Sequence, residues 1–226
     1  MVTPEEKKTI EVQIERLLPG GVGLAHAEGL TLFVSLAAPG DVLRVNIDRV
    51  QGKVGFASIV EIIKPSAVRV EAPCPYFGRC GGCDFQQLTY ETQLEAKAEI
   101  IHDCLRRIAQ VEPPNPIRVV PSPNQWHYRT RASWQVDASA KQLGYFERGS
   151  NRVCDVEYCA VLSPELQQVL EQVRHELNAD VGIKGPKTID AVIGDDGVSV
   201  APAMAGFSTD VIRRRIGSET YSFHAE

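Results

Sequence analysis

Three cysteines within ten residues, Cys74, Cys80 and Cys83 in the stretch CPYFGRCGGC, constrain this chain more than any other feature. Thiolates at spacing C-x5-C-x2-C can share one metal centre, because a two-residue gap lets the backbone turn back on itself. Gly81 and Gly82 fill that gap, and without Cβ atoms their N–H groups can approach sulfur and stabilise its charge. Three ligands leave a four-coordinate centre one short. Cys159 is the best candidate for the fourth and Cys154 its rival, and spacing does not separate them. Either would let the metal close a loop of roughly eighty residues, a loop long enough for closure to matter. A triplet meeting one distant cysteine is commoner in iron–sulfur sites, whereas structural zinc sites pair two short-gap couples, so iron–sulfur is expected before zinc. Disulfides and unligated core thiols are the alternatives. The start MVTPEEKKT lacks the apolar run of a secretion signal, so a cytoplasmic, reducing compartment is expected, where disulfides are disfavoured.

The rest of the chain frames this segment. No stretch approaches eighteen uninterrupted apolar residues, so no membrane span is expected. The formal charge of −5 argues against a protein that coats nucleic acid wholesale, though a local basic face is compatible with it. Residues 9–63 read as a small β-barrel of the OB type: Ile10, Val12 and Ile14 alternate with Glu11, Gln13 and Glu15, and short apolar runs follow at 22–26, 30–35, 42–48 and 54–63. Turns at Pro19-Gly20-Gly21, Glu28-Gly29 and Pro39-Gly40-Asp41 separate them, giving about five strands. Such barrels serve nucleic-acid binding and structural roles alike. After Cys83 a helix is expected over 90–109, with Leu94, Ala98, Ile101, Leu105 and Ile108 as its apolar stripe and Cys104 beside it as a core thiol. Prolines at 113, 114, 116, 121 and 123 mark an extended connector.

Residues 105–152 carry eight Lys or Arg against three acids, a net of +5 inside an acidic protein. Trp126, His127, Tyr128, Arg129 and Arg131 open a strand, and Leu143-Gly144-Tyr145-Phe146 reads as its hairpin partner. A basic island with aromatics suits single-stranded RNA: Arg129, Arg131 and Lys141 for phosphates, Trp126, Tyr128, Tyr145 and Phe146 for unstacked bases. Arg129 and Arg131 alternate along the strand and so are expected to share a face. The plain alternative is a solvated strand whose aromatics turn inward. Ser163-Pro164-Glu165 starts a second helix with Leu166, Leu170, Val173 and Leu177 buried, and 188–193 with 198–201 forms a hairpin. Arg213-Arg214-Arg215 reads as surface, and 182–187 as a loop.

These motifs together resemble the amino-terminal part of bacterial iron–sulfur RNA (uracil-5-)-methyltransferases that modify 23S ribosomal RNA. Residues 9–65 are similar to the TRAM domain of that family. Cys74 to Cys83, with Phe85-Gln86-Gln87-Leu88, Tyr90, Gln93-Leu94 and Lys97 after it, is similar to its cluster motif, as are Tyr128-Arg129, the 143–146 hairpin and Asp155-Val156-Glu157-Tyr158-Cys159. The resemblance implies a [4Fe–4S] cluster on Cys74, Cys80, Cys83 and Cys159, and S-adenosylmethionine as methyl donor of the whole enzyme. It implies a fold class of OB-like β-barrel followed by an α+β central domain over 66–226, the Rossmann-like methyltransferase domain being absent. No residue here matches the family's cofactor loop or nucleophile, so no catalytic residue is assigned. The chain is expected to be a monomer and, alone, an inactive recognition part that binds RNA, ribosomal before transfer RNA. A free-standing RNA-binding iron–sulfur module and a zinc-stapled protein-interaction domain are the alternatives.

Overall fold

The computed structural model describes residues 8–178, 188–204 and 206–225. The expected loop at 182–187 and the amino-terminal residues 1–7 lie outside the described residues. The chain divides into two compact units, residues 1–73 with 83–121, and residues 74–82 with 122–226.

The first unit is built on one six-stranded sheet of order β1-β5-β6-β4-β3-β2, one strand more than expected. Its strands are β1 (Thr9–Gln13), β2 (Arg16–Leu18), β3 (Val22–Ala27), β4 (Leu30–Val34), β5 (Val42–Gln51) and β6 (Val54–Lys64). Glu28 and Gly29 both take positive φ, 50° and 76°, which is the two-residue turn whose twist matches the flanking strands β3 and β4. Only the pairing of β4 with β6 is parallel. The enclosed core comprises Val12, Ile14, Ala25, Leu32, Val34, Ala37, Leu43, Val45 and Ala57. Gly55 is fixed by this packing, since a Cβ there would lie 2.6 Å from Leu32.

Helix α1 (Tyr90–Cys104) begins where the Thr89 side chain accepts the Thr92 N–H, and continues as a π-turn over Leu105–Ala109. Its expected stripe is not what it buries. Ala96 and the half-buried Ile100 pack with Leu17, Ala38, Leu88, Val68 and Phe85, while Ile101 and Ile108 stand exposed. The helix is therefore rotated toward the Ala96 face. Ala96 is small enough to let the helix come close, and periodicity counts large apolar residues without seeing that. Cys104 is half-buried rather than a core thiol.

The second unit holds an antiparallel sheet of order β11-β10-β7-β8-β9 and a separate ribbon. The sheet strands are β7 (Arg131–Asp137), β8 (Gln142–Phe146), β9 (Val153–Asp155), β10 (Thr188–Ile193) and β11 (Val198–Ala201); the ribbon is β12 (Ile212–Ile216) with β13 (Glu219–Phe223). Helix α2 (Pro164–Asn178) is capped by Ser163, whose Oγ accepts the Leu166 N–H, and it packs against β10. Leu166, Val169, Leu170, Val173 and Leu177 are buried, each worth about 1.5–3 kcal/mol if fully withdrawn from water. Alternation along β7 buries Ala132, Trp134 and Val136 and leaves Arg131, Ser133 and Gln135 on the other face. The expectation of a barrel followed by an α+β domain needs correction at this level: thirteen strands and two α-helices occur among the described residues, and α1 belongs to the unit of the first sheet. No helix among the described residues is long and apolar enough to cross a membrane.

Candidate functional site

The cysteine segment 74–82 is a series of tight turns. Cys74 O accepts the Phe77 N–H at 3.0 Å, the Cys80 N–H donates to Tyr76 O at 2.8 Å, and Gly78 takes φ 89°. The Gly82 N–H donates to Cys80 Sγ at 3.4 Å, the amide-to-sulfur contact that the paired glycines suggest. Three further bonds fix the loop within the second unit. The Gly81 N–H donates to Phe146 O at 2.9 Å, the Arg148 N–H to Arg79 O at 2.8 Å, and the Glu157 N–H to Tyr76 Oη at 3.2 Å. Gly81 is required by this approach, because a Cβ would stand 3.0 Å from the Phe146 carbonyl.

The two rival downstream cysteines occupy different settings. Cys154 lies in β9 opposite Tyr145, is 1% exposed, and its Sγ accepts a hydrogen bond from Arg79 Nε at 3.2 Å. Cys159 is also buried, its N–H donating to Gln167 Oε1 at 3.1 Å while Gln167 Nε2 donates to Glu157 O at 2.9 Å. Arg174 of α2 holds the approach to it, with Nη2 donating to Leu143 O, Asp155 Oδ1 and Val156 O at 2.7–2.9 Å. Spacing named neither Arg79, Gln167 nor Arg174, since each acts across the tertiary structure. Cys83 falls in the first unit, next in sequence to Gly82.

Thiols as ligands and an amide already turned to Cys80 fit a thiolate-held cluster. The Tyr145 hydroxyl lies beside the Trp134 indole N–H and Arg129, both donors from which its oxygen can accept. Burial first, and then the nearby Cys159 sulfur, push the Tyr145 phenol far above its usual pKa, while Arg129 pulls it the other way. The Tyr145 ring also lies 4.0 Å from where a Gly82 Cβ would be. No group of three or more His, Cys, Asp or Glu side chains converges on a single-ion site among the described residues. A four-iron cluster spreads its ligands wider than one ion does.

The residues expected to meet RNA are scattered more than their sequence spacing suggests. Arg106, Arg107 and Arg118 lie in the first unit, and the first two pair with Asp103 at 3.2 and 2.9 Å. What remains of the island, residues 122–152, has five basic residues against two acidic ones, a net of +3. Trp126 is half-buried. His127, at φ 57°, bonds Leu162 O through Nδ1 at 3.1 Å, so that nitrogen carries the proton. Tyr128 is exposed. Arg129 precedes β7, bridges to Leu162 and is half-buried beside Tyr145, so it does not share an exposed row with Arg131. Lys141 sits in the β7–β8 turn and donates to Asn178 O at 3.1 Å, about 20 Å along the strand from Arg131. Tyr145 turns inward and Phe146 outward, 42% exposed. The two neighbours alternate across the sheet, and only one of them can face solvent.

Residues 5–60 match the family described as TRAM domain. The chain is 34% identical over 178 residues to an uncharacterized RNA methyltransferase of Halalkalibacterium halodurans, covering 78% of this chain and 39% of that protein. It is 34% identical over 170 residues to a 23S rRNA (uracil(1939)-C(5))-methyltransferase of Nitrosospira multiformis, covering 74% and 38%. The chain thus spans about two fifths of the length of the curated relatives it matches. Among solved structures it is similar to the Pyrococcus abyssi tRNA (uracil-54, C5)-methyltransferase in complex with S-adenosyl-L-homocysteine. The TM-score is 0.65 at 20% identity, over 95% of this chain and 59% of that one. This likeness corrects the expected fold class: nearly the whole chain, mostly sheet, follows a methyltransferase-like fold, in place of a barrel and α+β domain lacking it. Nor do the relatives, matched over most of this chain, support the expectation that it is inactive alone.

Proposed function

We propose that this chain serves an RNA uracil-5-methyltransferase acting on 23S ribosomal RNA, recognising RNA and carrying a [4Fe–4S] cluster. The TRAM segment over 9–65 is one functional module, and the cysteines lie in the residues 66–226 that follow it. The observation that carries the reading is the docking of loop 74–82 on the hairpin of β8 and β9, which ties two of the three clustered cysteines to the segment leading to Cys159. The ligands are Cys74, Cys80, Cys83 and Cys159, with Cys83 assigned from the sequence motif. Cys159 is taken before Cys154 because it matches the family's fourth ligand in the resembling motif; the Cys154 sulfur accepts from Arg79. The relatives named as RNA methyltransferases support the reaction class, and S-adenosylmethionine supplies the methyl group in such a reaction. The protein's own contribution is to hold RNA on the second unit, through Arg131, Arg148 and Phe146.

Anaerobic purification with iron and sulfide analysis tests the cluster. About four irons per chain are expected, with Cys159→Ser losing them and Cys154→Ser retaining them. A protein free of iron, or one in which Cys154→Ser is the damaging change, defeats the ligand assignment. Incubation of the protein with a 23S rRNA fragment and labelled S-adenosylmethionine tests the reaction, with label expected on C5 of a uridine.

A further inference from the structure

The second unit carries a groove that neither the sequence motifs nor the comparisons assign. It has a volume of about 510 Å³ and is lined by Gly81, Gly82, Ser133, Gln135, Phe146 and Arg148 among others. A second hollow of about 1080 Å³ adjoins it, sharing Gln135, Phe146 and Glu147. The strand periodicity explains why it exists. Ser133 and Gln135 alternate with the buried Ala132, Trp134 and Val136, so they stand on the sheet face opposite the core. Gln135 registers against Gly144, over which the β9 backbone passes closely, and Phe146 rises two residues further along β8 on the same face. Glycine at 144 is compulsory, because a Cβ would meet the Cys154 carbonyl oxygen at 2.0 Å.

The lining has the chemistry of a base-binding site. Phe146 offers an exposed ring. Gln135 Oε1 accepts from the Thr188 hydroxyl at 3.2 Å, which leaves its NH2 group to donate into the groove. The Ser133 hydroxyl, on the same exposed face, can donate or accept. Glu147 is held by Arg152 at 2.8 Å, Arg148 lines the groove, and Arg131 stands on the same face of β7 as Ser133 and Gln135. A ring for stacking, a donor for a base edge and cations for the backbone suit an anionic chain with splayed bases, whereas an apolar protein segment would leave the Gln135 and Ser133 groups unmatched.

We propose that this groove receives one unstacked nucleobase of the RNA, stacked on Phe146 and read at its edge by Gln135 and Ser133. The inference rests on the RNA-recognition reading above and deepens it by naming a base-selective subsite. Fluorescence titration of the protein with labelled single-stranded oligo(U) and oligo(A) dodecamers tests it. Phe146→Ala is expected to weaken binding about five- to a hundredfold at unchanged salt dependence, with Phe146→Trp restoring it. Gln135→Ala is expected to narrow the difference in affinity between the two oligomers while leaving the salt dependence alone. Both side chains are at the surface, so neither change removes core packing. Wild-type affinity in Phe146→Ala overturns the subsite and leaves RNA recognition standing. Failure of the wild-type protein to bind either oligomer overturns both.

Discussion

Tyr145 and Phe146 are neighbours in sequence that the fold gives opposite tasks. Phe146 offers its exposed ring to the groove, while half-buried Tyr145 turns its hydroxyl inward beside the Trp134 indole and Arg129. On the proposed function, the Tyr145 hydroxyl serves the sulfur side of the cluster near Cys159, an outer-shell contact that stabilises thiolate charge. Tyr145→Phe keeps the ring that packs near Gly82 and removes one donor. Iron release from the anaerobic protein to a chelator should then be about ten- to a hundredfold faster than in wild type, followed by absorbance at equal temperature. Equal rates in the two proteins would show that the hydroxyl plays no part in holding the cluster.

Among the elements, the turn Pro39-Gly40-Asp41 between β4 and β5 is held by a buried charge. Asp41 is 0% exposed; its carboxylate accepts the Ala38 N–H at 2.7 Å, the Ser66 N–H at 2.9 Å and Arg69 Nε at 3.2 Å. One side chain thus joins the loop before β5 to the chain that follows β6, closing the sheet region on itself. Asp41→Ala leaves two amides unmatched and strips Arg69 of its carboxylate, though not of its bond to Leu36 O, and should lower the unfolding free energy by about 3 kcal/mol. That is the low end for a broken buried pair, since Arg69 keeps some contact with water. Urea denaturation should show the midpoint falling with the slope unchanged, and Asp41→Asn, which keeps an acceptor, should lose less. An Asp41→Ala midpoint equal to wild type would mean that water satisfies these groups instead. The same physical logic separates the two helices. In α2 the large residues at helical spacing are the buried ones, whereas in α1 the close approach of small Ala96 sets the face and leaves Ile101 and Ile108 outside.

For the molecule as a whole, charge is distributed by the fold rather than by sequence proximity. Of the island's eight cations, three lie in the first unit, Lys141 is tied to the end of α2, Arg129 is half-buried, and Arg152 is paired with Glu147. Arg131, on the Ser133 face of β7, and Arg148, in the groove lining, are the proposed phosphate contacts of the second unit. At about −0.7 per contact, replacing both by alanine should flatten the plot of log affinity for single-stranded RNA against log salt by roughly 1.4, measured by filter binding. An unchanged slope would mean that other cations carry the backbone. Local chemistry was legible in the residues alone: the cysteine spacing with its paired glycines, the strand alternation of the first sheet, the Glu28-Gly29 turn and the capped start of α2 at Ser163 each depend on residues a few positions apart. What the sequence left open depended on distant partners. Arg79 reaches Cys154 across 75 positions, Tyr76 reaches Glu157 across 81, and the inward turn of Tyr145 follows from its register with Cys154. A periodic pattern states that a strand has two faces, but only the elements packed against it decide which face is buried and which is left to meet a ligand.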